Sequence, residues 1–148
     1  MAAKWLIQEE GSELAERLQA SGAILLAPQL VLAEVGNVGW KKHRLGELSP
    51  EHMEALAGLA TWFDRLTGLQ DHLRRALAIA RELDHPVYDC FYLALAEAEE
   101  ATLVTDDRRL LRRLEGTPWK RRVLQLGDVP VPEERSAEAG NEEPPPET

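Results

Sequence analysis

Apolar positions along the chain follow two rhythms. Spaced three and four apart they mark amphipathic helices, and in unbroken runs of about five they mark buried strands. Leu6, Leu14 and Leu18 give helix faces at the start, interrupted at Gly11-Ser12, where Ser12 can cap a restarted helix. Residues 23–27 (AILLA) predict a buried parallel strand. Pro28 opens a helix over 28–42, with Leu30, Val31, Val35 and Val38 on one side. Gly36 and Gly39 weaken it by about 1 kcal/mol each relative to alanine, which suggests close packing on a neighbouring helix. Ser49-Pro50 caps and opens a helix carrying Met53, Leu56, Leu59, Ala60 and Phe63, broken at Gly68. Asp71 is read as the cap of a helix over 73–83, which Asp84-His85-Pro86 ends. Further helices are expected at 87–99 and 108–114, and further strands at 101–105 (ATLVT) and 122–126 (RVLQL). Helices separating short apolar strands are the pattern of an α/β fold with a mostly parallel sheet. No strand precedes the first helix, and there is no internal repeat.

Length, composition and charge narrow the classes. At 148 residues, with 44% hydrophobic positions, the chain suits one folded domain with its own core. A net charge of −9 excludes a binder that works through bulk basic charge. It leaves open an enzyme that meets nucleic acid through bound cations, which reverse the local sign. Residues 130–148 hold six acidic residues, one Arg and five of the nine prolines, with no aliphatic side chain larger than alanine after Val131. That composition predicts a disordered acidic, proline-rich tail, a solubilising segment, beyond a domain over 1–129. The one cysteine, Cys90, excludes an internal disulfide and a zinc site built mainly on thiolates. With no apolar run near 18 residues and no signal-peptide pattern, a reduced, soluble, cytoplasmic protein without membrane contact is expected.

The carboxylates that carry information sit among apolar neighbours or at strand ends. Glu34 lies in QLVLAEVGNVGW, with Asn37 three residues on and therefore on the same helical face. Asp89 lies in the first turn of an apolar helix, and Asp106-Asp107 follows the ATLVT strand, where ligands of parallel sheets collect. Each also has a structural alternative. Asp89 can complement a helix N-terminus, Asp106 or Asp107 can be an N-cap, and Glu34 can pair with a basic residue. Three such carboxylates converging would need a compensating cation, and oxygen-only ligands suit Mg²⁺ or Mn²⁺. Arg108, Arg109, Arg112, Arg113 and Lys120-Arg121-Arg122 form either a solvated face or a phosphate contact beside Asp107. His43, His52, His72 and His85 lack metal-type spacing and are read as surface or capping residues. Cys90 is read as a buried structural thiol, and Trp5, Trp40, Trp62 and Trp119 as packing or interface residues. No G-x-S-x-G, Walker A or G-x-G-x-x-G pattern is present.

Four segments in order, AAKWLIQEEGSELAERL, APQLVLAEVGNVGWKK, HPVYDCFYLALAE and LVTDDRRLL, resemble the PIN-domain ribonucleases of the VapC toxin type over residues 1–129. The resemblance implies a PIN-like three-layer α/β/α fold and a Mg²⁺- or Mn²⁺-dependent endoribonuclease, the toxin of a toxin–antitoxin pair. It implies Glu34, Asp89 and Asp107 as metal-binding catalytic acids, with Asn37 orienting Glu34 and Thr105 holding a water or a carboxylate. Asp106 falls where the family usually carries a small residue and is read as a supporting or bystander group. A homodimer, a cognate antitoxin and an RNA substrate are implied as partners. The family pattern opens with a strand ending in a fourth acid, which would fall about three residues before Met1. Without that strand, apolar surface and ladder groups on its two neighbours would be exposed. A start lying upstream is one expectation. The other is a catalytically inactive PIN-like module acting only through partner binding.

Overall fold

The structure is a computed structural model and describes residues 12–130. The expectations for Trp5, Leu6, Gly11, the capping side chain of Ser12 and the tail lie outside the described residues.

Serine and proline act at one helix start as their chemistry predicts. Ser49 Oγ accepts the His52 amide, and Pro50 takes the first helical position, where its missing N–H costs nothing. The order is α1 (Ser12–Ala20), β1 (Leu26–Pro28), α2 (Leu30–Arg44), α3 (Pro50–Ala55), β2 (Arg65–Thr67), α4 (Leu69–Leu83), α5 (Val87–Ala98), β3 (Leu103–Thr105), α6 (Arg108–Leu114) and β4 (Val123–Gln125). Helices thus separate strands that pair only in parallel, as expected for an α/β fold.

Several boundaries differ from the sequence reading, for identifiable reasons. β1 covers Leu26–Pro28 rather than 23–27, because the Asp64 carboxylate takes the Leu25 amide at 2.7 Å in place of a ladder partner. The chain therefore enters its ladder later, and α2 starts at Leu30 rather than at Pro28. β2, an additional strand, follows directly after Phe63-Asp64; its sequence RLT has no apolar run to announce it. The helix expected over 50–63 gives way at Leu56 to a 3-10 segment, Leu56–Trp62. α4 begins at Leu69 with Gly68 as its cap residue, so Asp71 lies inside the first turn.

Among the described residues, the expected sheet is two parallel pairs, β1 with β2 and β3 with β4. Helix α5 packs against β1 and β3 as well as along α4, and so holds the pairs together. Its Cys90, Phe91, Leu93 and Ala94 join Ile79, Leu83, Leu110, Leu114 and Trp119 in one core cluster. Its Tyr92 packs on a second cluster built from Leu18, Ala27, Val31, Val35, Leu59 and Leu126. Between the pairs lies a cavity of about 590 Å³ whose walls include residues 23–27 and 102–105. Among the described residues, β1 and β3 each have a strand partner on one edge only.

Two of the sequence readings on individual residues change. His72 is buried, not a surface or capping residue, because its place on α4 lies on the stripe that carries Ala76, Ile79 and Leu83. The glycines of α2 divide. A Cβ on Gly39 would stand 2.2 Å from Leu56 Cδ1 and 3.3 Å from Met53 Sδ, whereas one on Gly36 would meet nothing within 4 Å. Close packing therefore explains Gly39 alone. Gly36→Ala should stabilise the protein by up to about 1 kcal/mol through helix propensity. Gly39→Ala should destabilise it by about 1 kcal/mol, as overpacking outweighs the same gain. Urea denaturation of the two variants checks the opposite signs.

Candidate active site

Three elements bring the predicted acids to the walls of one cavity. Glu34 stands on α2, the helix that follows β1; Asp107 follows β3; and Asp89 stands in the first turn of α5. All three line the cavity between the strand pairs, with Tyr92, Thr105 and Asp106 beside them. The rest of the lining is largely aliphatic, including Leu26, Val31, Val35, Leu95 and Val104. Asn37 is not brought to it: its side chain is exposed on α2, outside the cavity lining.

Each acid has a fixed local arrangement. Tyr92 Oη donates a short hydrogen bond to Glu34 Oε2, so a tyrosine from α5 orients Glu34, in the place expected of Asn37. Burial pushes the Glu34 carboxyl above its ordinary range; the Tyr92 bond offsets part of this and the nearby Asp89 charge adds to it. Burial and the Glu34 carboxylate push the Tyr92 phenol upward as well, which keeps it a donor. Asp89 Oδ2 lies 2.6 Å from His85 Nε2. Asp107 Oδ1 accepts the amides of Arg109 at 2.7 Å and Leu110 at 3.1 Å, so it is the N-cap of α6 as well as a cavity residue. Thr105 Oγ1 accepts the Asp107 amide at 3.1 Å, fixing the turn from β3 into the cap rather than a carboxylate. Cys90 is fully buried beneath, and burial together with the Asp89 charge pushes its thiol up to about 11. That environment suits a structural thiol and not a nucleophile.

The donor set fits a hard divalent cation in kind. It is made of oxygens only, and Asp89 already disfavours the charged form of Glu34, a repulsion that a bound cation relieves. Among the described residues, no three His, Cys, Asp or Glu side chains stand together as a ready-made metal centre. Of the basic residues near Asp107, Arg108, Arg109 and Arg112 are exposed on α6. Arg113 instead binds the carbonyls of Leu83 and Asp84, and Lys120 pairs with Glu115 at 2.5 Å.

A family model described as the PIN domain matches residues 2–116. The chain belongs to the PIN-domain family. It is 35% identical over 112 residues to Ribonuclease VapC3 of Pyrobaculum aerophilum, across 72% of this chain and 84% of that protein. The likeness within the PIN-domain family is therefore to its VapC-type ribonucleases. Sequence reasoning missed the two side chains that hold Glu34 and Asp89, Tyr92 and His85. Tyr92 is three residues after a first-turn acid in an apolar helix, but its spacing alone looks like core packing. His85 stands four residues before Asp89, and the sequence reads it as a surface or capping residue. That i,i+4 spacing was the available signal.

Burial of Glu34 has a measurable consequence. Below the ordinary carboxylate range the folded and unfolded chains both keep the proton, and Gln is a close substitute. As pH rises through the raised pKa, the folded state must carry a charge that the unfolded chain holds more easily, so stability falls. Glu34→Gln should therefore raise the melting midpoint at pH 8, with the gain shrinking as pH falls to about 4. Thermal denaturation at the two pH values checks this.

Proposed function

We propose that this PIN-domain protein is a divalent-metal-dependent endoribonuclease, the toxin component of a toxin–antitoxin pair. The observation that carries the reading is that Glu34, Asp89 and Asp107, from three separate elements, line one cavity. Kinship with a protein named as a VapC ribonuclease supports it. Glu34, Asp89 and Asp107 would hold Mg²⁺ or Mn²⁺. The bound cation would supply an activated water and charge stabilisation at the phosphate. Tyr92 holds one oxygen of Glu34 and leaves the carboxylate facing the cavity. The Asp107 cap uses Oδ1 alone. Burial against the aliphatic walls limits water around Glu34, which strengthens its attraction for a cation. Arg108, Arg109 and Arg112 place exposed positive charge beside Asp107, suited to the RNA backbone. An RNA substrate, a cognate antitoxin and a homodimeric state belong to the same proposal, as does a cytoplasmic location. No helix among the described residues is long and apolar enough to cross a membrane.

One observation favours a second reading, a catalytically inactive PIN-like module that only binds a partner. The acids are already engaged by Tyr92, His85 and backbone amides, and no three described ligands form a ready centre. A melting scan with and without Mn²⁺ separates the two, because a ligand that binds only the folded state raises the midpoint. The nuclease reading expects a rise, and no shift at saturating Mn²⁺ supports the binding module.

Two sets of variants test the assignment of the acids. The double substitution Asp89→Ala with Asp107→Ala should abolish metal-dependent RNA cleavage, and retained cleavage would sink the assignment. Asp107→Asn separates the two roles of that residue, since Asn caps about as well as Asp. Its stability should stay within about 0.5 kcal/mol of the parent, while cleavage falls by at least tenfold, on the scale of a lost metal contact.

A further inference from the structure

The corner between α4 and α5 is built with unusual care for a turn that carries no predicted acid of its own. Asp84 adopts a left-handed conformation with φ of 47°, and the His85 amide then donates back to the Ala80 carbonyl at 3.0 Å. Pro86 follows and fixes the chain before α5 begins at Val87. From outside, the Arg113 guanidinium of α6 donates to the carbonyls of Leu83 and Asp84. These contacts leave the His85 side chain only 10% exposed, with Nε2 at 2.6 Å from Asp89 Oδ2. An ionised carboxylate can only accept, so Nε2 carries the hydrogen that it donates.

We propose that His85 is the positioning residue of Asp89: it holds Oδ2 and so presents the other oxygen, Oδ1, to a divalent cation in the cavity. The inference rests on the reading of Asp89 as a cation ligand. The geometry favours a role in the site over a role in folding alone. The corner is already secured by the left-handed turn, the Ala80 bond, Pro86 and Arg113, none of which needs the imidazole. The imidazole instead reaches forward, over the first turn of α5, to the one carboxylate of that helix that lines the cavity. His85 would then do for Asp89 what Tyr92 does for Glu34. A ligand carboxylate held by such an outer hydrogen bond loses roughly 10- to 100-fold in metal affinity when the bond is removed.

The test uses the whole chain and Mn²⁺ alone, with binding followed by calorimetric titration and folding checked by melting in chelator. His85→Phe keeps a planar ring without a donor, and His85→Gln keeps a donor without the ring. His85→Phe should weaken Mn²⁺ binding by roughly 10- to 100-fold, and His85→Gln should recover most of that loss. Equal Mn²⁺ affinity in His85→Phe and the parent would overturn the proposal, as would equal losses in the Phe and Gln variants. If His85→Phe folds poorly, His85→Ala is read by the same criteria. Asp89→Asn is the control for the underlying reading. Parent-like Mn²⁺ affinity in Asp89→Asn removes Asp89 as a ligand and the inference with it. Loss of binding in Asp89→Asn beside intact binding in His85→Phe overturns the inference alone.

Discussion

The packing of α5 is the constraint on which the rest of the structure depends. This helix is apolar on nearly every side: Cys90, Phe91, Leu93, Ala94, Leu95 and Ala96 are all buried. Such a helix needs neighbours all round. α4 covers one side, and both strand pairs meet the helix on others. The pairs share no ladder among the described residues, so their relative placement is transmitted through α5. Only its first turns reach the cavity with polar groups, and there it presents Asp89 and Tyr92. The element that organises the core therefore also positions two polar residues of the cavity.

A second, polar frame ties α5 in place away from the cavity. Arg75 of α4 pairs with Glu97 of α5 through two hydrogen bonds, at 2.5 and 2.8 Å, and its guanidinium lies over the Trp119 ring, 5.4 Å from the ring centroid. Trp119 in turn donates from Nε1 to Glu82 Oε1 at 3.0 Å. The Glu97 carboxyl is held below its ordinary range by that Arg75 contact. A half-exposed ion pair contributes little by itself, but here the same arginine also covers a buried indole. The Arg75–Glu97 pair therefore joins α4 to α5 at the end far from the corner that carries His85, and the Trp119–Glu82 bond ties α4 down nearer that corner.

The sequence made the fold class and the acids legible because both depend on local pattern. Period-3.6 stripes and short apolar runs do not need their partners to be recognised, and an acid among aliphatic residues is conspicuous wherever it points. What it hid depends on distant partners. β2 is three residues with one exposed arginine, and it is a strand only because β1 runs beside it. The reach of Tyr92 to Glu34 spans 58 positions, so no spacing rule connects them. Gly36 and Gly39 look alike in sequence, and only the approach of Leu56 and Met53 distinguishes them. The burial of His72 was hidden for the same reason, since Gln70, Asp71, Arg74 and Arg75 surround it in sequence while its face of α4 carries Ala76, Ile79 and Leu83.

Asp107 shows why a structural explanation of a residue does not displace a functional one. An N-cap draws the carboxylate towards the first amides of α6, and the same amides carry partial positive charge that favours an anion there. That placement satisfies the helix and leaves a charged oxygen at the end of β3, beside the cavity that Glu34 and Asp89 share. The capping bonds also remove rotational freedom that a free surface aspartate would have to lose on binding a cation. Tyr92 acts on Glu34 in the same manner. In each case a bond that stabilises the fold also reduces the ordering needed at the site, so stability and function draw on the same contacts.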